Sequence, residues 1–123
     1  KYNCNYTFAD HTKMISIAKN YISEYKHIKF ITTEKIEEIE NEKFDLLLAF
    51  HCLSEVTMEY INYLCQKIIP NCQQAFVAHG MDTYKQLVPE LESKLRSIYP
   101  KFNIYPLSYG RIDQKIYFGD MNV

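Results

Sequence analysis

The stretch "FDLLLAFHCLSEV", residues 44–56, decides how the rest of the chain is read. Its first seven residues are apolar except for Asp45 and do not alternate with polar ones, as expected of a parallel strand covered on both faces by helices. Such a strand belongs in the middle of a sheet. It then runs straight into His51, Cys52, Ser54 and Glu55, so an element that reads as buried ends in a reactive cluster.

Short apolar strands alternate with helical patterns outward from this segment. On its carboxyl side, Thr57 can cap a helix whose Tyr60 or Ile61, Leu64, Cys65, Ile68 and Ile69 form one apolar stripe, ended by Pro70. Residues 75–78 make a further short buried strand, finishing at His79 and Gly80. A third helix is predicted over 83–98, with Leu87, Leu91, Leu95 and Ile98 on one side. Pro89 is comfortable only in a first turn, so the regular part of that helix is expected to begin there. Residues 102–108 and 114–119 then alternate as two strands. The link between them, 109–113, is too short for a parallel crossover and makes them an antiparallel hairpin.

On the amino side, residues 2–9 alternate and carry Tyr, Thr and Phe, and Asp10 and Thr12 supply a turn and a helix cap. Met14, Ala18, Tyr21, Ile22 and Tyr25 recur at helical spacing as a buried stripe. Ile28, Phe30 and Ile31 form a second strand, and Thr32 and Thr33 open an acidic helical turn carrying Ile36 and Ile39. Glu34, Glu37, Glu38, Glu40 and Glu42 crowd together there without the Asp-Gly loop of a cation site, and read as a solvated face. The alternation implies an α/β fold of three layers, a mostly parallel sheet ending in an antiparallel hairpin. At 123 residues and 47% hydrophobic, residues 1–123 suit one domain.

Composition narrows the function classes. Basic and acidic residues number 14 and 15 and are mixed along the chain, giving no broad cationic face, so no nucleic acid partner is expected. No apolar run approaches the ~20 residues of a membrane helix, and no leader pattern precedes the first strand; the expectation is a cytoplasmic chain with no membrane partner. Cys4, Cys52, Cys65 and Cys72 show no paired spacing and read as reduced thiols, two of them core. His11, His27, His51 and His79 are scattered, and no metal site is expected.

In an open α/β sheet, ligands sit beyond the carboxyl ends of the strands. Asp10, His51, Cys52, Ser54, Glu55, His79 and Asp82 all follow an apolar strand and so collect at that edge. Asp10 has two readings. A carboxylate after a first strand can accept both hydroxyls of a ribose, and it can equally stabilise the dipole of the helix behind it. His51 and Glu55 suit proton transfer. Cys52 reads as a small apolar core residue rather than a nucleophile, and Ser54 as a helix cap or a reactive hydroxyl.

The segment "FDLLLAFHCLSEVTMEYINYLCQKIIPNCQQAFVAHG", with its Phe-Asp strand, Ser-Glu pair, following Tyr and closing strand, resembles the sugar O-methyltransferases of bacterial surface-polysaccharide pathways. "YTFADHTKMISIAKNYI" is similar to that family's second strand, its acidic residue and the helix behind it. The closing hairpin looks like the last two strands of the class I S-adenosylmethionine-dependent fold. The resemblance implies S-adenosylmethionine as cofactor and methyl transfer to a hydroxyl, with a sugar or other small molecule as acceptor. Asp10 would then hold the donor's ribose with His11 beside it, and His51 and Ser54 would face the donor. His51, Glu55 or His79 would act as the base.

One departure matters. That fold opens with a strand and a glycine-rich loop, whereas here Gly80, Gly110 and Gly119 are far apart and the chain starts, at Lys1, with what corresponds to the second strand. Three explanations follow: an amino-terminally incomplete fragment, a domain completed by another chain, or a degenerate copy kept for binding. Without a central strand, apolar sheet edges stay open, so association with a second copy or a completing chain is expected. The rival of a different class is a non-catalytic interaction module using the eleven tyrosines and the open edge. A flavodoxin-like nucleotide domain is disfavoured because "ADHTKM" holds no glycine to cradle phosphate.

Overall fold

The computed structural model describes residues 4–22, 24–50, 52–53, 56–80, 87–109 and 112–122, which fall into two compact units, 1–40 and 41–123. In the first unit, β1 (Tyr6–Asp10), α1 (Thr12–Ile22) and β2 (Ile28–Thr32) form a strand-helix-strand crossover, followed by a 3-10 segment, Thr33–Ile39. The two strands are parallel, in register from Tyr6 beside Ile28 to Asp10 beside Thr32. Phe8 and Phe30, partners in that register, meet edge to face at 6.2 Å, and Lys19 lies over the Phe30 ring. Ile15, Ile31, Ile36 and Ile39 are buried.

The expected stripe on α1 is out of phase. Ile15 is buried, with Ala18 and Ile22 half-buried, whereas Met14, Ile17 and Tyr21 are exposed, and Tyr25 lies past the helix end. Two apolar rows run side by side on this helix, and spacing alone does not say which one meets the strands.

The second unit contains β3 (Phe44–Phe50), α2 (Met58–Lys67), a 3-10 turn (Ile69–Asn71), β4 (Cys72–Gly80), α3 (Leu87–Ile98), β5 (Lys101–Tyr109) and β6 (Ile112–Asp120). Its four strands lie in the order β3-β4-β6-β5. β3 and β4 are parallel, and β6 is antiparallel to both β4 and β5. The predicted hairpin is present, but its second strand enters the sheet between β4 and its own partner. α2 starts where Thr57 predicts: the Tyr60 N–H donates to the Thr57 hydroxyl at 3.3 Å. Pro89 sits in the first turn of α3.

One core serves this unit. Ile61 and Cys65 of α2 and Leu91 and Leu95 of α3 pack on Ala49, Ala75, Val77 and Tyr117 of the sheet. Tyr99 closes it from below: its hydroxyl lies 3.2 Å from the carbonyl oxygens of both Ile69 and Cys72 and donates to them as a shared bond. Fully burying such side chains is worth about 1.5–3 kcal/mol each, so these contacts dominate the unit's stability.

β3 departs from expectation in two ways. Among the described residues it pairs with β4 alone, at the edge of the four-stranded sheet rather than its centre. It is also covered on one face only. Ala49 is buried under the helices, while Leu46, Leu48 and Phe50 on the other face are 47%, 52% and 56% exposed, although Phe50 touches Phe76. The apolar run 46–50 therefore shows an alternating burial.

Candidate functional site

Asp10 ends β1, and the residues that follow it build a small polar cluster. The Asp10 carboxylate accepts the His11 backbone N–H through Oδ1 at 2.7 Å. Oδ2 makes no hydrogen bond to the described residues. His11 is the residue that caps α1, in place of the expected Thr12. Its carbonyl accepts the Ile15 N–H at 3.0 Å and its Nδ1 faces the Lys13 N–H at 3.4 Å, so the imidazole does what a capping Asn does. An accepting Nδ1 leaves the ring proton on Nε2, which lies 3.9 Å from Glu34 Oε1. Thr12, freed from capping, donates its hydroxyl to Glu34 Oε2 at 3.1 Å.

Glu34 was not legible as part of this cluster. In sequence it belongs to an acidic run that reads as a solvated face; in space it follows the end of β2, beside the strand that ends at Asp10. The signal that finds it is position after a strand, not spacing to other glutamates. Its carboxyl is held below the usual carboxylate range, chiefly by its own backbone N–H, against an opposing loss of water. The Thr12 and Thr32 hydroxyls and His11 add to the lowering.

In the second unit, Phe50 pairs with Ala78, so β3 and β4 finish side by side and the backbone of His79 follows at that end, paired with Lys115. His51, Ser54, Glu55 and Asp82 lie outside the described residues. Cys52 is exposed, not the small buried residue expected, because the core position beside it is taken by Leu53. Among the described residues no three His, Cys, Asp or Glu side chains group as metal ligands would, and no helix is long and apolar enough to cross a membrane.

No family model and no curated protein matches the chain. Solved structures do. A methyltransferase from Pyrococcus furiosus superposes with a TM-score of 0.66 at 12% identity, covering 98% of this chain and 64% of that one. The METTL16 MTase domain gives a TM-score of 0.65 at 14% identity, covering 97% of this chain and 51% of its own length. An O-methyltransferase family protein from Burkholderia thailandensis gives 0.57 at 12%, covering 95% and 44%. The chain thus spans about half the length of the structures it matches. With its strands, crossovers and closing hairpin, the chain carries the Rossmann-like α/β fold of the methyltransferases.

Proposed function

We propose that this chain takes part in methyl transfer from S-adenosylmethionine to a hydroxyl, with a sugar as the acceptor class. The observation that carries the reading is Asp10. Its carboxylate stands at the carboxyl end of a parallel strand, with Oδ1 fixed by the His11 N–H and Oδ2 available to a ribose hydroxyl. The amino-acid end of the donor is not accounted for by these residues, since no glycine cluster accompanies Asp10.

When bound, the donor supplies a methyl group already activated for displacement. What the chain has to add is alignment of the acceptor oxygen with that carbon, and a base for the hydroxyl proton. Asp10 and His11 would hold the nucleoside side, Ser54 and His51 would face the donor, and His51, Glu55 or His79 would take the proton. The sugar assignment rests on the resemblance of residues 44–80; the fold neighbour from an O-methyltransferase family bears on the hydroxyl and not on the sugar.

Calorimetric titration with S-adenosylmethionine and its demethylated product tests the reading. Asp10→Ala should weaken binding at least about tenfold, as loss of a charged hydrogen-bond acceptor does, with the circular dichroism spectrum unchanged. Equal affinity in parent and variant removes Asp10 from the site. A second reading, a methyltransferase-like module that makes protein contacts without catalysis, draws support from the exposed Leu46, Leu48 and Phe50 row. No binding heat from a folded parent chain would favour it.

A further inference from the structure

We infer that Glu34 is a positioning residue that fixes the turn carrying Asp10; the inference rests on the donor reading above. Asp10 aims its carboxylate by accepting the N–H of the next residue, so its direction is only as fixed as the backbone of His11. The His11 carbonyl is tied into α1 by the Ile15 N–H, while its side chain and that of Glu34 stay on the outer side of the turn, 64% and 55% exposed. Glu34 supplies the restraint from the neighbouring strand. One carboxylate oxygen accepts the Thr12 hydroxyl at 3.1 Å and the other lies 3.9 Å from His11 Nε2, beyond hydrogen-bond reach, so Glu34 holds Thr12 directly and stands beside His11. The two ends come from segments 22 positions apart, which the parallel register of β1 and β2 brings to the same edge.

Exposed pairs of this kind add little to global stability, because water screens them. Their effect here is therefore on geometry, which separates this role from a merely structural one. Glu34→Ala should leave the thermal midpoint within about 2 °C, consistent with a surface change. It should also move the His11 amide proton resonance, which reports the bond to Asp10. Donor affinity should fall about tenfold, the scale on which supporting contacts act on the groups they orient. Glu34→Gln keeps an oxygen for Thr12 and should recover most of that loss.

Thr12→Val should weaken binding as Glu34→Ala does. The double variant should be no weaker than either single change, since both remove one link. Donor affinity in Glu34→Ala equal to that of the parent overturns the inference, whatever the amide does, and leaves Asp10 in the site. Failure of the donor reading shows itself separately, as absence of heat in the parent titration.

Discussion

Cys65 and Cys72 show at the level of single residues how placement decides chemistry. Burial pushes the Cys72 thiol up to about 11 and raises that of Cys65, whereas Cys4 and Cys52 are exposed. A thiol-disulfide reagent at pH 8 should therefore label Cys4 and Cys52 in the native chain within minutes, and Cys65 and Cys72 only on unfolding; four equal rates would contradict the packing. Of the two core cysteines, Cys65 is legible in sequence because it falls on the apolar stripe of its helix; Cys72 lies ahead of the strand expected at 75–78, and the core reading falls instead on Cys52, which is exposed. The link from Glu34 to His11 and Thr12 is not legible, because it crosses between strands and depends on register. His51, Ser54 and Glu55 are placed by sequence and lie outside the described residues, and for His79 the backbone alone is fixed. Glu34 also sets a pH dependence. A carboxyl lowered by folding adds stability above its ordinary range, and that contribution disappears as pH falls through the lowered value. Glu34→Gln removes that contribution, so it should lower stability slightly at neutral pH and converge with the parent as pH falls below ~4, which flattens the acid limb of the profile.

Among elements, β6 carries the tightest constraint. A side chain carbon at Gly119 would stand 2.4 Å from two atoms of the Tyr99 ring, so strand and ring pass in direct contact. Tyr99 cannot retreat, because its hydroxyl is bonded to the carbonyl of Ile69, which opens the 3-10 turn, and to that of Cys72, which begins β4. Gly119→Ala should cost about 2 kcal/mol through overpacking, read as a drop in the denaturation midpoint at unchanged slope. The start of α2 is legible because a threonine before an apolar stripe has one economical use, and the hairpin is legible because its link is short. The insertion of β6 between β4 and β5 is not legible, since both of its faces alternate acceptably wherever it pairs. Nor is the edge position of β3, whose apolar sequence reads the same with one face covered or two.

For the molecule as a whole, the main core is drawn entirely from one unit: every buried residue packed with Leu91, Leu95 and Tyr99 lies within 41–123. A chain of residues 41–123 alone should therefore unfold cooperatively, with the near-ultraviolet signal of Tyr99 and Tyr117 retained; a broad transition without that signal would show that the first unit is required. The sheet of that unit also orders events in time. β4 and β5 are connected in the sheet only through β6, which follows both in the sequence and lies between them. During synthesis on the ribosome, the sheet consequently stays open until Asp120 has cleared the exit tunnel, and a premature stop before Ile112 would release a product with no means of joining its halves.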